Sequence, residues 1–132
     1  MGATENKQLI ETMFAELSRG NGEGYLERLA DDVQFTIIGT TKFSSTFNGK
    51  QDVVNRLLTP LMAELESGIQ VIPDHIVAEG DTVVVQAHGI SKTKTGKSYN
   101  NTYCQVFRVA GGKVKKITEY LDTELVTAVF GK

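Results

Sequence analysis

Along residues 4–19 the apolar side chains Leu9, Ile10, Met13, Phe14 and Leu17 recur every three or four positions, with Glu5, Lys7, Glu11, Glu16 and Arg19 on the other faces. That is the period of a helix, so an amphipathic helix with one stripe to bury is predicted. Gly20-Asn21-Gly22 ends it, because glycine and asparagine accept the left-handed backbone that follows a last helical turn. Tyr25, Leu26 and Leu29 give residues 23–30 a second, shorter stripe. Beyond the Asp31-Asp32 break the period becomes two, since Val33, Phe35 and Ile37 alternate with Gln34, Thr36 and Ile38 as in a strand.

Residues 40–47 read as a polar loop and Asn48-Gly49 as a turn. Helical spacing then returns in Val53, Val54, Leu57, Leu58, Leu61, Met62 and Leu65. Pro60 lies inside that stripe, lacks a backbone donor and crowds the preceding turn at a cost of about 3 kcal/mol. A kink or break near Thr59 is therefore predicted, unless Thr59 opens a fresh helix. The remainder alternates as strands over 69–78, 82–91, 99–109 and 114–121, with turns at Glu79-Gly80-Asp81, Thr95-Gly96 and Ala110-Gly111-Gly112-Lys113. The order α-α-β-α-β-β-β-β lacks any βαβ alternation, so the prediction is an α+β fold with helices on one face of an antiparallel sheet.

A chain of 132 residues, 40% hydrophobic, has the size and apolar content of one domain spanning 1–132. Its net charge of -2 comes from 14 basic and 16 acidic residues with no basic block, which argues against a nucleic-acid partner. No apolar run approaches the roughly 20 residues that span a bilayer, and the N-terminus lacks the apolar stretch of a signal peptide. A cytoplasmic location without membrane association is expected. Cys104 has no second cysteine to pair with, and His75 and His88 add no familiar metal spacing, so neither a metal nor another cofactor is expected.

Three segments carry a family resemblance: Leu29-Ala30-Asp31-Asp32-Val33, Phe47-Asn48-Gly49-Lys50, and the stretch from Tyr103 through Phe107-Arg108-Val109 and Gly111-Gly112-Lys113 to Glu119-Tyr120-Leu121-Asp122. In order and spacing they resemble the ketosteroid isomerase-related, SnoaL-like proteins of the nuclear transport factor 2-like superfamily. The resemblance implies a cone: a strongly curved antiparallel sheet with three helices on its concave face, enclosing a pocket, and often a homodimer through the outer face of the sheet. Members of the group isomerise steroids, cyclise polyketides, hydrolyse epoxides, dehydrate small molecules, or only bind, so the site must decide the chemistry.

Steroid isomerisation uses a carboxylate base, with a tyrosine and a protonated aspartate holding the oxyanion. Alignment on Asp31-Asp32 places Ile37 where the base would stand and Met13 near the tyrosine position, while alignment on Phe107-Arg108-Val109 replaces the acid with Gln105. A hydrocarbon takes no proton, which excludes that route. Glu119 is the remaining acid: if Ile117, Glu119 and Leu121 face inward, lost hydration favours its neutral form and brings its pKa towards working pH, making it the candidate catalytic residue. A shift of one residue would instead bury Tyr120 and expose Glu119.

Tyr103 and Gln105 share one strand face and are candidates to hydrogen-bond a ligand oxygen or to orient Glu119; ordinary core polarity is their other reading. Met13, Phe14, Phe35, Ile37, Val85 and Phe107 are candidate apolar walls, with Phe43 and Phe47 at the mouth. Tyr99 and Asn101 read as rim or solvent residues, Asp122 as a cap for residues 123–130, and His88 as outward-facing. The face of His75 stays ambiguous.

Two functions follow. One is a cofactor-independent isomerase, cyclase or hydrolase acting on a small apolar carbonyl or polyketide-like compound, with Glu119 moving a proton. The other is a non-catalytic ligand-binding or dimeric interaction module. Val84, Val106 and Cys104 on the outer face favour a homodimer, since a monomer would expose them to water.

Overall fold

The computed structural model describes residues 2–132. Helix α1, Ala3–Ser18, buries Ile10, Met13 and Phe14, the stripe read from the sequence. Helix α2, Gly22–Glu27, is shorter than the 23–30 expected, because Leu29 and Ala30 already belong to strand β1, Leu29–Ile37. The other strands are β2, Ser45–Asn48; β3, Gln70–Glu79; β4, Thr82–Ile90; β5, Thr102–Ala110; and β6, Lys113–Leu121. They form one sheet in the order β2-β1-β6-β5-β4-β3.

The sheet is mixed rather than wholly antiparallel, because β1 runs parallel to β6. The two strands come from opposite ends of the chain, so no hairpin sets their relative direction, and alternation within a strand is blind to the direction of its neighbour. β2 also corrects the expected loop: within it only Phe47 is buried, and four residues are too few for the alternation to stand out. Register shifts between Leu29 and Gln34, Pro73 and His75, and Arg108 and Val109 mark irregularities of the kind that bend strands and curl a sheet.

The third helical stretch runs as α3, Lys50–Asp52, a π segment, Val53–Leu58, and α4, Thr59–Glu64. No break occurs near Thr59, whose backbone is helical at φ -62 and ψ -49. Pro60 stands in the first turn of α4, directly after the widened turns of the π segment. A fourth helix, α5, Thr123–Phe130, follows β6, and Asp122 caps it by accepting from the Leu125 amide at 3.2 Å.

Odd-numbered residues of β5, and of β6 from Ile117 onward, face the helices; earlier in β6, beside the register shift at Arg108 and Val109, Val114 is the buried residue and Lys113 and Lys115 are exposed. Cross-strand pairing sets them in rows: Val83, Phe107, Ile117, Phe35 and Phe47 in one, and Val85, Gln105, Glu119 and Ile37 in the next. Ala87, Tyr103 and Leu121 form a third. Tyr120, 49% exposed, looks away on the convex side, with Cys104 and Val106 partly covered beside it in the sheet.

Candidate functional site

The second and third rows open on a cavity of about 380 Å³, roofed by Phe14 and Leu17 of α1, Tyr25 and Leu26 of α2, and Leu57, Leu58, Leu61 and Met62 of the third helical stretch. Phe43 and Val126 also line it. One wall is polar, formed by Glu119, Gln105, Tyr103, Tyr99 and Tyr25. The walls are otherwise almost entirely hydrocarbon.

Glu119 is only 8% exposed, and Gln105 Nε2 donates to its Oε1 at 2.6 Å. Burial pushes the Glu119 carboxyl up to about 7 against the downward pull of that hydrogen bond. Burial also raises Tyr25, with the Glu119 charge adding to it, and raises Tyr103, with Tyr99 and Glu119 adding to it. Tyr99 is raised by burial too, although its hydrogen bond with Asn101 pulls the other way. All three phenols are therefore kept neutral beside Glu119, able to donate.

Local structure holds them there. Asn101 is fully buried: Nδ2 donates to Tyr99 Oη at 3.1 Å and to the Asp122 carbonyl at 3.2 Å, while Oδ1 accepts from the Thr102 and Asp122 amides at 2.7 and 3.0 Å. That network joins the start of β5 to the end of β6 and sets the Tyr99 ring. The ring packs edge-to-face on Phe130, centroids 4.7 Å apart, and Phe130 meets Phe43 in the same way at 5.1 Å. Gly89 explains the position of Tyr103, since a Cβ there would meet the Tyr103 ring at 3.1 Å. Any larger residue would push the phenol aside.

Of the residues selected from the sequence, Glu119, Gln105, Tyr103, Phe14, Phe35 and Ile37 line this cavity. Met13, Val85 and Phe107 do not; each is fully buried in the core. They were expected as walls because inward and pocket-lining are one property in a strand pattern, whereas α1 fills part of the cone with Ile10, Met13 and Phe14. Phe47 is likewise core, beneath the Arg56 guanidinium, while Phe43 does reach the cavity.

Tyr99 and Asn101 correct the opposite error. They precede β5 rather than belonging to it, yet are 4% and 0% exposed, because α5 and the end of β6 cover them. Tyr25 lies on the stripe of residues 23–30, but only the docking of α2 brings it to the cavity that Glu119 lines. His88 lies on the outer side, its Nδ1 2.9 Å from the Asp74 carboxylate, and His75 is exposed. No group of three or more metal-binding side chains occurs among the described residues, and none of their helices is long and apolar enough to cross a membrane.

A buried carboxyl raised towards neutrality, set in a largely apolar cavity among neutral phenols, can exchange a proton with a bound molecule while the hydroxyls stabilise charge developing on its oxygen.

An uncharacterized protein of Mycobacterium tuberculosis is 22% identical over 122 residues, 92% of each chain. Among solved structures, an NTF2-like protein of unknown function from Burkholderia pseudomallei superposes with a TM-score of 0.85 at 19% identity, covering 97% of this chain and 98% of the other. A putative SnoaL-like polyketide cyclase from Jannaschia does so with a TM-score of 0.77 at 18% identity, covering 98% and 93%. The profile of the SnoaL-like domain matches residues 10–117, most of the sheet and the helices that close the cone, and this chain belongs to the SnoaL-like domain family.

Proposed function

We propose that this protein is a cofactor-independent enzyme in which Glu119 moves a proton to or from a small, largely apolar carbonyl compound held in the cone. The observation that carries the reading is a buried, near-neutral carboxyl that shares an otherwise largely hydrocarbon cavity with three neutral tyrosines. Abstraction of a proton α to a carbonyl fits these parts: the carboxylate takes the proton and a phenol donates to the enolate oxygen. The apolar walls suit a substrate whose remaining surface is hydrocarbon, polyketide-like compounds included.

The test is deuterium uptake from heavy water by a panel of enolisable ketones, followed by NMR. A base acts in its ionised form, so kcat/KM is expected to rise about tenfold per pH unit up to about pH 7 and to level above it. Absence of protein-dependent exchange, or a rate that falls with rising pH, would refute the base role. Saturable thermal stabilisation without exchange would leave a binding protein.

A homodimer through the convex face, working in the cytoplasm, is part of the same proposal. Val77 pairs with Val84 and Val84 with Val106 across three strands, and Val77 and Tyr120 are 46% and 49% exposed. Sedimentation is expected to give a dimer that Val106→Lys converts to monomer, because an unpaired ammonium at a covered apolar patch is costly. A native monomer at micromolar concentration would remove this part.

A further inference from the structure

Glu119 is the one charged side chain that lines the cavity: among the described residues no lysine, arginine, histidine or aspartate reaches its walls. Gln105 occupies only one of the two carboxyl oxygens, Oε1. Oε2 accepts no hydrogen bond from the chain, and it is not among the polar atoms that burial shuts off from water-sized molecules. The Tyr25 hydroxyl is free and open in the same way. Six aromatic rings, those of Phe14, Tyr25, Phe35, Phe43, Tyr99 and Tyr103, share the walls, and the face of such a ring attracts a cation.

We infer that the cavity also binds apolar amines in their protonated form, the ammonium donating to Glu119 Oε2 and the hydrocarbon lying among the rings and Leu58, Leu61 and Met62. This is a second ligand class beside the carbonyl compound of the proton-transfer reading, and its binding needs no turnover. Forming a buried ion pair is ordinarily unfavourable or neutral, because both partners must leave water. Here folding has already desolvated the carboxyl, so an entering ammonium loses only its own hydration and meets a charge that is otherwise unpaired. The Tyr25 hydroxyl oxygen can accept a second N–H, since a hydroxyl accepts as well as donates. An alcohol of the same shape gains none of the charge attraction. Around Glu119 stand the Gln105 amide and Tyr103 from β5, Tyr99 before it, Tyr25 from α2 and Ile37 from β1, with apolar residues from the other helices. The phenols are held neutral by burial, so the carboxyl is the group that sets how binding responds to pH.

The experiment compares benzylamine with benzyl alcohol, which differ only in ammonium against hydroxyl, by calorimetric titration between pH 5.5 and pH 8. At pH 8 the amine is expected to bind at least about tenfold more tightly. Benzylamine stays protonated throughout, so its affinity should weaken about tenfold for each pH unit below about 7, where Glu119 must first give up a proton, while the alcohol shows no such loss. Glu119→Gln is expected to bring the two affinities within about twofold and to abolish the pH dependence. Equal native affinities, binding of neither compound, an amine affinity independent of pH, or a preference that survives in the folded variant would overturn the inference. The native comparison stands alone should the variant not fold. Deuterium exchange by the ketones, measured separately, tells the two proposals apart: exchange without amine preference sinks this one, and amine preference without exchange sinks the proton-transfer reading.

Discussion

Glu119→Gln is expected to slow deuterium exchange by a factor of about 10²–10⁴, the usual worth of a positioned general base, and at the same time to stabilise the protein at pH 8. The sign follows from the raised carboxyl. Its folded value of about 7 stands above the ordinary 4.5 of a glutamate, so between those pH values the folded state retains a proton that the unfolded state has lost. Folding stability therefore falls as pH rises through that window, and above it the native protein carries a penalty of about 3 kcal/mol, at 1.36 kcal/mol per pKa unit. Gln removes the charge and is able to meet Gln105 amide to amide. Urea denaturation at pH 4.5 and pH 8 should show a variant-minus-native difference that grows with pH towards about 3 kcal/mol. A difference independent of pH would mean that Glu119 is not held neutral by burial. Loss of activity joined to gain of stability is the mark of a group kept for chemistry rather than for folding.

Phe107→Ala is expected to cost about 3–5 kcal/mol, the range for a large aromatic removed from a core. The ring is fully buried, stands edge-to-face to Phe14 with centroids 6.1 Å apart, and lies between Val83 and Ile117 in the row Val83, Phe107, Ile117, Phe35 and Phe47. Neighbours fixed in two strands and one helix collapse little into the hole. The midpoint of urea denaturation reports the loss. A cost below about 1 kcal/mol would contradict a close-packed floor beneath the cavity.

Phe107 and Glu119 also illustrate how far the pattern of residues carries. Alternation along β6 placed Ile117 and Glu119 on one face, and the structure turns that face inward, because exposing Ile117 would forfeit its burial. The same alternation along β5 grouped Tyr103, Gln105 and Phe107, yet only the first two reach the cavity. Where the floor ends and the pocket begins depends on how deeply α1 enters the cone. That depth is set by contacts between α1 and strands β3 and β4, far away in the chain.

Local chemistry by itself determined what neighbours a few residues apart can enforce: the stripe of α1, the glycine turns, the Asp122 cap and the grouping of Ile117 with Glu119 on one strand face. The parallel pairing of β1 with β6, the continuity of the helix through Pro60, and the gathering of Tyr25, Tyr99 and Tyr103 around Glu119 were decided only by the folded whole. These three phenols come from a helix, a loop and a strand, and no periodicity links residues on separate elements. Their meeting is fixed by the packing of those elements around one cavity, and so is the burial that raises the carboxyl, since desolvation belongs to the enclosure and not to the side chain.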